Sequence, residues 1–121
     1  MIYSSRFAAL LDANVLYPAP LRDFLLRLAG ADFYIPKWSD RIQEEWISNL
    51  LLNRTDLKRE DLERTKAAMN AAFPDANVTE YEAIIDSLLL PDPDDRHVLA
   101  AAIRCQADVL VTINLKDFLH V

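Results

Sequence analysis

One glycine, Gly30, in 121 residues excludes a Gly-rich phosphate loop of the Walker or the dinucleotide-binding pattern, because both need several residues without a Cβ beside phosphate. No G-x-S-x-G stretch is present, which removes the usual setting of a hydrolase serine. One cysteine, Cys105, cannot close an internal disulfide and reads as a small core residue. With His97 and His120 as the only other soft ligands, the chain cannot assemble an ordinary structural zinc site. Long apolar runs are missing too. The runs present, such as Leu50–Leu52 and Leu88–Leu90, fall far short of the roughly 20 residues of a membrane span. The opening MIYSSRFAALLDANVLY has an early acid and no basic region before its apolar stretch, so the expectation is no secretory signal, no membrane and a cytoplasmic location. Positive charge is also scarce, and a net charge of −6 argues against non-specific attachment to nucleic acid through a broad basic face. A nuclease is not excluded, because acids gathered round a cation would leave the rest of the surface near neutral. Arg22, Arg27, Lys37, Arg41, Arg54, Lys58 and Arg59 could then line a groove.

What remains is apolar residues, at 52%, and acids, nineteen of them. The length suits one domain with one core. Phe7–Leu11 reads as a buried, central strand ended by Asp-Ala-Asn. Pro18 and Pro20 precede LRDFLLRLAG, whose leucine spacing predicts a helix over 19–29 with Gly30 as its stop. Asp32–Pro36 reads as a second strand bounded by its proline. Ser39 or Asp40 can cap a helix over 40–53, buried on more than one side through Ile42, Trp46 and Leu50 and widened by Leu51 and Leu52. Thr55 or Asp56 can cap an outer helix running to Phe73, with a narrow stripe at Leu62, Lys66, Met69 and Phe73. A short strand over Asn77–Tyr81, a helix over 82–90, a helix over 93–106 and a last buried strand over Val109–Ile113 complete the pattern. Strands alternating with helices indicate a three-layer α/β/α fold, with a mostly parallel, Rossmann-like sheet of about four strands.

Four carboxylates then stand out. In an open parallel sheet ligands bind at the carboxyl edge, where the strand order reverses. Asp12 follows the first strand, Asp95 lies in the opening turn of the helix before the last strand, and Asp117 lies beyond that strand, with Asn114 nearby. Glu45, in the second turn of the helix after strand two, is long enough to reach back. Such a cluster needs compensation, since like charges at short range oppose joint ionisation. A hard divalent cation, Mg²⁺ or Mn²⁺, provides it and suits phosphodiester hydrolysis. Each acid also has a plain reading as a strand end, a helix N-terminal acid or a solvated helix residue. Asn14 and Asn114 are turn formers or supports of the metal ligands. His97 reads as structural, because a hard cation does not call for imidazole. Trp38 and Trp46 read as packing residues ahead of base-stacking ones.

LLDANVLY resembles the first motif of the PIN domain family, a strand followed by D-x-N/S-V-L. DPDDRHVLAAAI resembles its third motif and VTINLKDF its fourth, T-x-N-x-x-D-F. EEW corresponds to the second by its place in the chain. The resemblance implies a metal-dependent ribonuclease fold whose site acids fall on Asp12, Glu45, Asp95 and Asp117. Asp12, Asp95 and Asp117 would hold the metal and Glu45 would orient or deprotonate the attacking water. Glu44 competes with Glu45 by register, and Asp92 and Asp94 compete with Asp95, which is preferred for Val98 three residues on. Similarity to VapC-type toxins implies an RNA substrate, a small antitoxin protein as partner and a homodimer. The family usually continues past the fourth motif into another short strand, whereas this chain stops at Leu119-His120-Val121, so the expectation is one PIN-like domain over 1–121 without that strand. Two rival readings stand beside this one. D-A-N-V faintly resembles the D-x-D motif of haloacid-dehalogenase-like phosphatases, with Asn14 in place of the second acid, and a catalytically degenerate PIN-like module could bind a partner through its apolar helices.

Overall fold

The computed structural model describes residues 6–88 and 96–113. Four strands form one parallel sheet: β1 (Ala8–Leu11), β2 (Ile35–Ser39), β3 (Asn77–Val78) and β4 (Val109–Val111), in the order β3-β2-β1-β4. The helices are α1 (Ala13–Leu16), α2 (Ala19–Gly30), α3 (Asp40–Asn53), α4 (Arg59–Ala72), α5 (Glu82–Ile85) and α6 (Arg96–Arg104). This is the expected α/β fold with β1 at its centre. From β1 the chain moves outward through β2 to β3, then returns past β1 to place β4 on its other side. Right-handed crossovers then put α2 to α4 on one face and α6 on the other. The switch point lies between β1 and β4, beside Asp12. Among the described residues no helix is long and apolar enough to cross a membrane.

The core is continuous from the sheet into α3. Leu10, Leu11, Trp38, Ile42, Trp46 and Ile47 are all completely buried, and each contributes ~1.5–3 kcal/mol of burial free energy relative to exposure. Both tryptophans belong to this core. Trp38 Nε1 donates to Asn70 Oδ1 at 2.8 Å and Trp46 Nε1 to Gln43 Oε1 at 2.5 Å, so neither indole is free to stack on a base. Arg22 lies over the Trp46 ring at 4.4 Å and donates to Leu16 O at 2.8 Å, tying α1, α2 and α3 together. Cys105 is half-buried at the edge of the core, where burial raises its thiol pKa.

Several boundaries differ from expectation. The second strand begins at Ile35 rather than Asp32, because α2 ends in a Schellman motif: Phe33 N–H bonds to Leu28 O and Asp32 N–H to Ala29 O, with Asp32 at φ 68°. Asp32, not Gly30, is therefore the left-handed stop. The strand runs through Pro36 to Ser39, since Ile35 N–H faces β1 and Trp38 N–H faces Ala76 O. By alternation Pro36 N points to the β3 side, where pairing begins only at Trp38, so no ladder bond is lost. Helix α4 starts at Arg59, because Asp56 is held by the Arg54 guanidinium at 2.8 and 2.9 Å instead of capping. The third strand stops at Val78, as Glu80 takes φ 61°, and the short helix α5 closes at Ile85, where Ser87 N–H and Oγ–H both turn back to Ile84 O. Leu52 is 79% exposed and does not widen the apolar face of α3. Val109 and Leu110 are about two-fifths exposed, since β4 has β1 as its single strand neighbour among the described residues. The one-turn helix α1 is an element that hydrophobic periodicity, with four residues to work on, does not reveal.

Candidate active site

A cleft of about 370 Å³ opens at the carboxyl edge of the sheet, lined by Asp12, Asn14 and Tyr17 from the β1–α1 side, Glu45, Asn49 and Asn53 from α3, and His97 and Val98 from α6. A larger hollow of about 540 Å³ lies at the amino edge, beside Arg6, Asp32 and Asp75. Parallel sheets bind ligands at the carboxyl edge, where the smaller cleft lies.

Asp12 reaches the cleft because β1 ends there and its carboxylate caps α1. Oδ1 accepts from Ala13 N–H at 2.7 Å and Oδ2 from the Thr112 hydroxyl at 3.0 Å, while Asp12 N–H bonds to Val111 O across the sheet. Thr112 Oγ also lies 3.2 Å from Asn14 Oδ1 and accepts from Asn14 Nδ2 at 3.0 Å. A hydroxyl has one proton, and the bond to the charged carboxylate is the stronger of its two choices. Asn14 completes the knot by pairing its amide with the backbone of Ile113, accepting from its N–H at 3.2 Å and donating to its carbonyl. Asn14 thus joins the start of α1 to the segment that follows β4.

Glu45 arrives on α3, whose first turn is set by Ser39: its buried Oγ accepts from Ile42 N–H at 3.1 Å. Trp46 and Ile47, next along the helix, are buried and set its rotation, so Glu45, Asn49 and Asn53 at four-residue spacing share the cleft face. Asn53 Nδ2 donates to the Tyr17 hydroxyl at 2.9 Å. Glu45 Oε1 lies 2.7 Å from His97 Nε2, with the Glu45 side chain 39% exposed and His97 1%. Glu44 faces α4 instead, where Arg59 Nη2 reaches its Oε2 at 3.1 Å and Ser48 Oγ donates to it. Those hydrogen bonds, Arg59 first, hold the Glu44 carboxyl below its ordinary range.

The structure therefore brings Asp12 and Glu45 to one cleft, adds Asn14 beside Asp12, and turns Glu44 away. Asp92, Asp94, Asp95, Asn114 and Asp117 lie outside the described residues. Of the cations that could line a groove, Arg27 pairs with Asp23, Arg54 with Asp56, and Arg59 with Glu44 and Glu63. No lysine or arginine is among the described residues lining the cleft. Its donors are hard oxygens with lone pairs to spare, and each Asp12 oxygen takes one hydrogen bond. That chemistry fits a hard divalent cation, although among the described residues no three His, Cys, Asp or Glu side chains gather closely enough to hold an ion by themselves. Sequence reasoning missed Tyr17, Asn49 and Asn53 as cleft residues and Thr112 as the partner of Asp12. The Glu45, Asn49, Asn53 spacing was a legible polar stripe. His97, read as structural, is indeed buried, and it also lines the cleft against Glu45.

Residues 8–116 match the PIN domain family. No curated protein and no solved structure matches the chain.

Proposed function

Because the chain belongs to the PIN domain family, whose members are typically metal-dependent nucleases, we propose that it is a Mg²⁺- or Mn²⁺-dependent endoribonuclease acting on single-stranded RNA. The observation that carries this reading is the meeting of Asp12 and Glu45, far apart in the chain, in one cleft at the carboxyl edge of the sheet. Asp12, with Asp95 and Asp117 assigned from the family's third and fourth motifs, would hold the metal. When bound, a divalent ion there polarises a phosphoryl oxygen and offsets charge on the leaving oxygen.

The protein's own groups do the rest. Ala13 N–H and the Thr112 hydroxyl fix the Asp12 carboxylate. Glu45 orients the attacking water and takes its proton as the water oxygen bonds to phosphorus. The P–O ester bond breaks with its electron pair passing to the leaving oxygen, which is protonated from solvent. Tyr17, Asn49 and Asn53 offer neutral donors and acceptors to ribose hydroxyls and base edges. By the family likeness the chain is a single cytoplasmic domain and the homodimeric toxin of a toxin–antitoxin pair. Its antitoxin is a small protein, and one presenting a basic side chain to the acids would close the cleft.

Purified protein should cut single-stranded RNA with Mn²⁺, lose the activity on chelation, and lose about 10²–10⁴-fold in Glu45→Gln. Asp12→Asn should be inactive, and cleavage at the wild-type rate by that variant would remove the metal site from this cleft. Absence of Mn²⁺ binding by calorimetry, together with tight complex formation with another protein, would instead mark an interaction module.

A further inference from the structure

We propose that His97 is a positioning residue for Glu45: its buried imidazole holds Oε1 against the ring and leaves Oε2 directed to the cleft, where the attacking water is received. The inference rests on the nuclease reading above and adds a residue to which that reading gives no role. Glu45 is two-fifths exposed on the surface of a helix, so its long side chain has several rotamers open to it. Among the described residues His97 is close against it, at 2.7 Å. His97 itself is 1% exposed, enclosed with Val98 at the base of the cleft. A reacting group misplaced by about 1 Å can cost about 10²-fold in rate, so restraint at this point matters for the chemistry.

The state of the imidazole supports a role at the site over one in packing. Buried polar atoms nearly always have partners, yet neither His97 nitrogen has an aligned hydrogen-bond partner among the described residues. Nε2 is within ion-pair distance of Oε1 but off the direction of a formed hydrogen bond. Loose alignment of this kind is usual at catalytic groups before substrate binds and tightens in the reacting complex. A histidine that only filled space would not need Nε2 placed 2.7 Å from a cleft carboxylate. A hard divalent cation prefers oxygen ligands to imidazole, which leaves the ring to Glu45.

The test uses three replacements in the full chain, with RNA cleavage and thermal melting read side by side. His97→Gln places an amide N–H where Nε2 stands, and should keep most of kcat. His97→Asn is one atom shorter, and His97→Phe keeps the volume without a donor. Both should lose about 10–100-fold in kcat with KM little changed, the cost typical of removing a partner that orients a functional group. In a Glu45→Gln background the Phe replacement should cost almost nothing further, because residues acting as one unit are non-additive. Full kcat in His97→Phe, or an equal loss in both backgrounds, would overturn the proposal. A second readout needs no activity and separates this failure from failure of the nuclease reading. In ¹⁵N-histidine-labelled protein, a downfield Nε2–H resonance absent from His97→Gln should move upfield in Glu45→Ala, and indifference to Glu45→Ala would likewise overturn the contact.

Discussion

Thr112 carries more of the site than a neutral hydroxyl suggests. Its proton goes to Asp12 Oδ2 while its oxygen is held by Asn14, so it sets the direction of the carboxylate. Thr112→Val keeps the shape and removes both bonds. We expect a 10–100-fold weaker Mn²⁺ affinity by calorimetry with an unchanged circular dichroism spectrum, and unchanged affinity would show that Asp12 needs no such partner. Tyr34 gives a pH test away from the site. Burial pushes its phenol pKa up to about 12, and the hydroxyl donates to Leu25 O at 2.7 Å. A raised pKa means the folded state favours the neutral form, so this contribution is complete below about 10, the unfolded value, and is lost as pH rises toward about 12. Tyr34→Phe should flatten the alkaline limb of the stability curve over that interval. At this scale Asp12 was legible because an acid directly after an apolar strand is placed by topology. Glu45 could be separated from Glu44 only by knowing that Arg59 arrives from α4 to claim the latter. Thr112 and His97 were illegible as site residues because their partners are remote in sequence.

The elements themselves are largely cued by local signals, and their limits are not. Ser39 caps α3 as its sequence position suggests. Ser39→Ala should cost about 0.5–2 kcal/mol, near the upper end since the Ile42 N–H would be left buried without a partner, and chemical denaturation would show it. The ends of α2 and α6 were harder to read. Both close in Schellman motifs whose left-handed residue is not glycine: Asp32 at φ 68° and Gln106 at φ 55°, the latter with Ala107 N–H bonded to Ala102 O. Gly30 meanwhile sits inside α2, with nothing within 4 Å of an added Cβ. The rule that glycine marks the stop therefore misleads here, and it points to a pair of stabilising changes. Gly30→Ala should gain about 0.4–1 kcal/mol by removing unfolded-state freedom. Gln106→Gly should relieve about 1 kcal/mol of left-handed strain, less what glycine's flexibility costs. A lower melting temperature in Gly30→Ala would mean that the helix end is tighter than its open surroundings indicate. The second strand shows the same limit: Pro36 looked like a boundary because sequence does not reveal which edge of a strand is still unpaired at a given residue.

For the molecule as a whole, the charge of −6 and the lack of lysine or arginine among the described cleft residues bear on how an RNA would be held. Proteins that bind through 6–10 phosphate contacts lose about 10³–10⁵ in affinity between 50 and 200 mM salt. If RNA is held as proposed, through a metal and neutral amides, KM should change by less than about 10-fold over the same range. A steep salt dependence would place a basic surface, not the α3 amides, at the centre of recognition. The fold class was readable from the alternation of strands and helices, but the strand order β3-β2-β1-β4 is a tertiary fact. That order has a consequence in time. β1 occupies the middle of the sheet, yet its second neighbour is the last of the described strands to be made, and Asp12 meets Thr112 across 100 positions of chain. On the ribosome, α3 can form and present Glu45 while Asp12 still lacks its partner. The seat of Asp12 is completed only after β4, some 100 residues further along the chain, has emerged and docked, so the two halves of the cleft are assembled at different times.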